Sequence, residues 1–236
     1  LKGKILKSNF KLDFSYDNQN IKFSNFYFRD KKFSFDSDGS LELKPFFKVN
    51  LNTNIKNIDV DILKKLDINK LLKHQDLIKQ LNSELKITFK SKKFEKNLIR
   101  EADIKTALAY GEFNFSKNLL ISNSNFKCNS YLNLLDEYPI YYFHCLVNSP
   151  NKKKLLKYFK INYKGKDKNL DLSIRGSLNI LNNKINLDSL EFANNYKATD
   201  DDLKYYKSKF ENIIFDENFI KIFDLLKIKK FIYEIL

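Results

Sequence analysis

The sequence predicts an α+β fold, mainly antiparallel β: a long, curved, one-sided meander sheet, open and groove-like, with helices inserted at about 59–81 and at the C-terminal end. Three observations carry this. From Leu170 to Ile180 the apolar residues Leu170, Leu172, Ile174, Leu178 and Ile180 alternate with Asp171, Ser173, Arg175, Ser177 and Asn179. That is the period of a half-buried strand, sustained for nearly twice the usual strand length. The same alternation recurs through the first 55 residues. Helical periodicity replaces it at 59–81, in a short segment near 152–159, and beyond Thr199.

After Gly3, Phe10, Leu12, Phe14 and Tyr16 share one phase, and an Asp17-Asn18-Gln19-Asn20 turn follows. Ile21 and Phe23 slip in phase to Phe26 and Phe28. Such a slip would carry the apolar set across the sheet unless a bulge absorbs it, which predicts a bulge near Ser24 and Asn25. Phe33 and Phe35 read as a short strand reversed by Asp36-Ser37-Asp38-Gly39, and Leu41 and Leu43 as the start of the next. Pro45 there marks an edge or kink. Phe47, Val49, Leu51, Thr53 and Ile55 restore strict alternation.

A first short helix is expected near Asp59 and a second through Ile68, Leu71, Leu72, Ile78 and Leu81. Leu85, Ile87 and Phe89 return to strand, and 90–101 reads as a polar loop. Leu108 to Phe115 and Leu119 to Phe126 suggest a hairpin about Ser116-Lys117-Asn118. Lys152 to Phe159 suits a short helix. The hairpin from Leu170 to Phe192 turns at Asn182-Asn183-Lys184. Thr199 and Asp202 have capping-box spacing, with Asp in place of the usual Glu. Leu203, Tyr206, Phe210, Ile213 and Ile214 form the next helical stripe, Phe219 to Lys227 a further one, and Phe231 to Leu236 closes the chain. No Pro/Gly/Ser linker interrupts the chain, so 1–236 reads as a single domain.

The net charge of +14 raises a nucleic-acid reading, but only Arg29, Arg100 and Arg175 among the 43 basic residues are arginine. Arginine is the residue that clamps phosphates and reads bases bidentately. The lysines are spread over polar positions, where they solvate the surface and protect sheet edges; an anionic-membrane surface and a nucleic-acid groove are the minor readings. No apolar run approaches a membrane span. The chain has no methionine, even at position 1, and is therefore expected to be a piece of a longer protein.

Cys128 and Cys145 supply a test of register. A hairpin turn at Asp136-Glu137 sets Cys128 opposite Cys145, Phe126 opposite Val147 and Leu132 opposite Tyr141. The cysteine pair and the apolar face thus agree on one register. Opposed residues in an antiparallel pair lie within disulfide reach. Two readings stand: a Cys128–Cys145 disulfide, which implies an oxidising compartment, or two reduced cysteines serving as small core residues.

Nothing in the sequence rises to catalysis. His144 neighbours Cys145, but adjacent strand residues face opposite ways and make no nucleophile–base pair. His74 lies on a polar helix surface. Asp200-Asp201-Asp202 loads a helix N-terminus with negative charge. Cys and His spacings match no zinc pattern, and five scattered glycines make no phosphate loop. The expectation is no catalytic residue, no metal and no cofactor.

The segments FSFDSDGSLELKPFFKVNLNTNIKNIDVDILKKL, EYPIYYFHCLVN, RGSLNILNNKINLDSLEF and DDLKYYKSKFENIIF together resemble the AsmA-like proteins of Gram-negative envelopes, as found in AT-rich alphaproteobacteria. The resemblance covers most of the chain and rests on pattern rather than on an invariant motif. It implies a periplasmic module of a protein anchored to the inner membrane through a segment absent from this chain. It also implies curved sheets with an apolar concave surface, and phospholipid transport or outer-membrane biogenesis without catalytic residues.

The expected function is therefore non-enzymatic lipid handling through an apolar β-groove. Its ligand would be a phospholipid or another acyl chain, its candidate lining Phe10, Leu12, Phe14, Tyr16, Phe47, Val49, Leu51 and Ile55. The plain alternative is that these residues form an ordinary core. A structural or interaction module contacting other envelope proteins is the runner-up function, and a basic nucleic-acid binder the third. The hairpin from Leu170 to Phe192, next to the C-terminal helices, is expected to be the covered part of the sheet.

Overall fold

Strands of about ten residues, most of them joined by connections of two to six residues, find their nearest partner in the neighbour in sequence. The computed structural model describes residues 2–5, 8–58, 75–91, 99–166, 168–192, 196–214, 227 and 230–232. Its strands are β1 (Lys2–Ile5), β2 (Ser8–Asp17), β3 (Asn20–Arg29), β4 (Phe33–Glu42), β5 (Phe47–Ile58), β6 (Leu81–Lys90), β7 (Ile99–Ala109), β8 (Glu112–Ile121), β9 (Ser124–Asn133), β10 (Ile140–Ser149), β11 (Leu170–Asn179), β12 (Lys184–Phe192) and β13 (Tyr196–Lys197). The helices are α1 (Gln75–Gln80), α2 (Lys152–Tyr158) and α3 (Asp200–Ile214). All thirteen strands lie in one open sheet in the order of the sequence, β1 to β13.

Every adjacent pair is antiparallel except β5 and β6, which run parallel with Phe47 opposite Leu81 and Ile55 opposite Phe89. A parallel pair needs a crossover, because the chain must return to the end of the sheet it left. Of the connection from Ile58 to Leu81, the described part is α1, which leads directly into β6. The helix expected near Asp59, most of the one after it, and His74 lie outside the described residues. So does the stripe from Phe219 to Leu226.

The bulge near Ser24 and Asn25 is present. Phe23 pairs with Gly39 and Phe26 with Ser37, while Asn25 takes φ 51°. The phase slip is absorbed there, and both apolar pairs stay on one face. The Thr199–Asp202 box closes as expected: the Thr199 N–H donates to Asp202 Oδ2 (2.9 Å), and the Asp202 N–H donates back to Thr199 Oγ1 (3.3 Å). At α2 the Asn151 side chain accepts from the Lys154 N–H at 2.7 Å.

Two expected reversals are not reversals. Asp36-Ser37-Asp38-Gly39 runs through the middle of β4. Cross-strand partners outweigh its turn composition: Asp36 is bound by Arg29 and Lys56, and Ser37 donates to the Asn52 carbonyl at 3.0 Å. At Gly39 a Cβ would stand 2.0 Å from the Asn50 carbonyl oxygen, so the glycine serves close strand approach rather than a turn. The chain turns instead between Glu42 and Phe47, with Leu43 outside the strand and a cis peptide at Lys44-Pro45.

Ser116-Lys117-Asn118 likewise lies within β8. The β7–β8 reversal is at Tyr110 (φ 50°) and Gly111 (φ 83°), the pair of positive φ values that a two-residue hairpin needs. Lys90 pairs with Glu101, so strand pairing reaches both ends of the segment expected as a loop.

Candidate functional site

Strand alternation and the registers put one set of residues on a single face from end to end. Across the middle of the sheet run Gly39, Leu51, Leu85, Thr106, Phe115, Ser130, Phe143, Gly176 and Leu187, each opposite the next. A parallel row carries Ser37, Thr53, Ile87, Ile104, Lys117, Cys128, Cys145, Ile174 and Leu190. At the β2 side, Phe10 pairs with Phe28, Phe14 with Phe23 and Tyr16 with Ile21. The groove candidates Phe10, Phe14, Tyr16, Phe47, Val49, Leu51 and Ile55 therefore share this face, and alternation carries Leu12 to it.

The face is covered unevenly. Towards the later strands it is partly covered by the chain's own helices. Ile78 of α1 joins Leu108, Leu132, Leu134 and Ile180 in one buried cluster. Ile213 and Ile214 of α3 pack on Leu178 and Ile185, with Phe210 and Phe231 beside them. At the β2–β5 side the candidates are less covered: Phe14 is 53% exposed, Tyr16 62% and Phe47 44%, while Phe10, Leu12, Val49, Leu51 and Ile55 are half-buried. Single exposed apolar residues need no explanation, but a contiguous apolar surface does.

Cys128 and Cys145 face each other on β9 and β10 with Cα atoms 4.1 Å apart, joined by a disulfide. The neighbouring pairs are Phe126 with Val147 and Leu132 with Tyr141, the register read from the sequence. The hairpin connection spans Leu134 to Pro139, wider than a two-residue turn at Asp136-Glu137, and buries Leu134. His144 points to the opposite face, its Nε2 3.2 Å from Ser173 Oγ.

One residue of this face escaped sequence reading. Lys117 stands in the apolar row between Ile104 and Cys128, half-buried. Burial holds its ammonium below the usual lysine range. The phase of Phe113, Phe115, Leu119 and Ile121 is the signal that could have placed it there. Reading 116–118 as a turn concealed it.

The opposite face is polar, and it holds two open troughs. One, of about 670 Å³, is bordered by Lys48, Asn50, Glu84, Lys105, Asn114 and Asn129 among others. The second, of about 860 Å³, includes Lys11, Asp36, Asp38, Asn54, Lys86 and Thr88. These concavities belong to the polar side, whereas the family likeness implies an apolar concave surface. Asp36 lies at the second. Burial pulls its carboxyl upward, but hydrogen bonds from Arg29 and Lys56 outweigh this and hold it below the usual carboxylate range.

The densest lysine run is not wholly a solvated face either. Lys152 is buried, with Nζ 4.4 Å from the centre of the Tyr163 ring, a cation–π contact. Among the described residues no cluster of His, Cys, Asp and Glu could hold a metal ion, and no helix is long and apolar enough to cross a membrane. Comparison of the chain with protein-family models, with curated proteins and with solved structures finds no match in any of the three.

Proposed function

We propose that this chain is a non-enzymatic cell-envelope module that shelters lipid acyl chains against the apolar face of its sheet, chiefly at β2–β5. One observation carries the reading: one mainly apolar face runs from β2 to β12, and its β2–β5 end leaves Phe14, Tyr16 and Phe47 open to solvent. Burying one methylene of an acyl chain there stabilises the complex by about 0.8 kcal/mol. A ten-carbon contact would thus contribute about 8 kcal/mol before the costs of ordering. The Cys128–Cys145 bridge fits an oxidising compartment such as the periplasm. The resemblance to AsmA-like proteins points the same way and adds an inner-membrane anchor in the longer protein.

The test is protein purified from its native compartment, examined by native mass spectrometry and by organic extraction. Lipid held at about one molecule per chain is expected. Replacing Phe14 and Phe47 together by Ser should release most of it while changing stability little, since both are already about half exposed. Protein that carries no lipid and takes none up from vesicles would refute the proposal.

A structural or interaction module is the second reading. β1 and β13 end the sheet, and an edge strand offers unpaired N–H and C=O groups to a further strand. Crosslinking to a neighbouring envelope protein, without lipid, would favour it.

A further inference from the structure

Within the apolar face, the polar side chains fall into two kinds. Ser37 and Thr53 lie opposite each other with their hydroxyls 2.9 Å apart. The Tyr141 hydroxyl donates to Ser130 Oγ at 2.7 Å, and Ser130 donates to the Phe115 carbonyl. The Ser124 hydroxyl donates to Ser149 at 2.7 Å. These groups satisfy one another. Thr106 on β7 and Lys117 on β8 do not: the Thr106 hydroxyl is buried without a hydrogen-bond partner, and Lys117 makes no ion pair with any described residue.

The two are diagonal neighbours. Ile104 is opposite Lys117 and Thr106 is opposite Phe115, which brings them within reach of one small group across adjacent strands. A buried hydroxyl left unmatched is costly, and a half-buried ammonium without a counter-charge adds to that cost, so such a pair calls for an explanation. Their surroundings are apolar: Ile104, Phe115, Leu119, Phe126 and the Cys128–Cys145 bridge.

We propose that Lys117 and Thr106 form the head-group site for a long-chain carboxylate, a fatty acid whose tail lies along the apolar face. A carboxylate brings two acceptor oxygens, one for the ammonium and one for the hydroxyl, and its single negative charge matches the single cation. A zwitterionic phospholipid fits less well. Its second charge would find no carboxylate among the neighbours of Lys117 on this face. The inference rests on the lipid-handling reading and adds which amphiphile the face selects.

The experiment uses the delipidated chain, oleic acid, its methyl ester and a zwitterionic phosphatidylcholine, with binding followed by displacement of a fluorescent fatty-acid probe. Wild-type protein is expected to bind the acid roughly tenfold or more tightly than the ester, the range of one charge-assisted hydrogen bond. Lys117→Met should erase that preference while leaving ester binding intact. Lys117→Arg should keep it, and Thr106→Val should reduce it. Circular dichroism of each variant separates a lost site from a lost fold, and Lys117→Gln serves where the Met variant misfolds.

Equal binding of acid and ester by the wild type, or a preference that survives Lys117→Met, overturns the head-group site and leaves the acyl-chain reading standing. Tighter binding of phosphatidylcholine than of oleic acid overturns the carboxylate assignment. Binding of none of the three overturns the lipid-handling reading itself, and this inference with it.

Discussion

Reducing the Cys128–Cys145 bridge should lower stability without unfolding the sheet, by an amount that follows from chain length. The two residues are 17 apart in sequence. Opening a loop of that size returns to the unfolded chain an entropy worth about 3 kcal/mol at room temperature. The folded side changes little, because β9 is paired along its length with β8 and β10, and β10 with β11. Unfolding entropy of about 2.1 cal/mol/K per residue gives about 0.5 kcal/mol/K for a chain of 236 residues. Reduction should therefore lower Tm by about 6 °C. Differential scanning calorimetry with and without a phosphine reductant measures this, with Cys128→Ala/Cys145→Ala as the control that the reductant should not affect. Denaturant unfolding should also show a larger m-value after reduction, since the untethered chain exposes more surface. Two titratable thiols in the untreated protein, or an unchanged Tm on reduction, would refute the reasoning.

Ile214 is 1% exposed and lies in the cluster that joins α3 to Leu178 and Ile185; Ile214→Ala should cost about 2–5 kcal/mol, read as a lower denaturation midpoint. Gly39→Ala should destabilise by about 1–3 kcal/mol or more, since its Cβ meets the Asn50 carbonyl at 2.0 Å; an unchanged midpoint would mean the strands do not approach so closely. The start of α3 should be sensitive to pH in both directions. Hydrogen bonds from Thr199 and Tyr196 hold the Asp202 carboxyl below its ordinary value, so this contribution is present above about pH 4 and is lost as pH falls through the lowered value. The Tyr196 hydroxyl, donating to Asp202, is pushed up to about 12; its contribution is complete below about pH 10 and is lost as pH rises through 12. Phenolate absorbance of wild type against Tyr196→Phe checks the second limb, and a titration at the ordinary tyrosine value would contradict it.

Much of the sheet was legible because its signals are local. Alternation over ten residues marks a strand whatever lies beside it. The Phe23-to-Phe26 slip could be absorbed only by an extra residue, and the Thr199–Asp202 box closes within one helical turn. The Cys128–Cys145 register was legible because two constraints, the cysteine pair and the apolar phase, had to agree. What the sequence concealed was decided by neighbours. Asp36-Ser37-Asp38-Gly39 has turn composition, but Arg29, Lys56, Asn52 and Thr53 supply cross-strand partners that hold it extended. The parallel pairing of β5 and β6 leaves no trace in either strand's period, because it depends on the path of the chain between them. Lys117 was hidden for a related reason: a lysine beside serine and asparagine reads as a turn until the turns at Tyr110-Gly111 and Ser122-Asn123 are known.

The distribution of coverage explains why the candidate face lies where it does. A single sheet with its strands in sequence order has no second layer of its own, so its apolar face must be covered by segments that leave the sheet or by something else. Among the described residues, α1 reaches Leu108, Leu132 and Ile180, and α3 reaches Leu178 and Ile185. Both sets lie on β7 or later, the part of the sheet that the disulfide also pins. β2 to β5 gain no buried apolar side chain from either helix, yet they carry Phe10, Phe14, Phe23, Phe28 and Phe35 on the same face. Phe10, Phe23, Phe28 and Phe35 are half-buried and Phe14 is exposed, a partly open apolar surface that would lower solubility unless something shelters it. Acyl chains can do so without matched polar contacts, which is why the reading places them at this end. On the proposed reading Lys117 of β8 would hold a charged head while the tail lies towards β2.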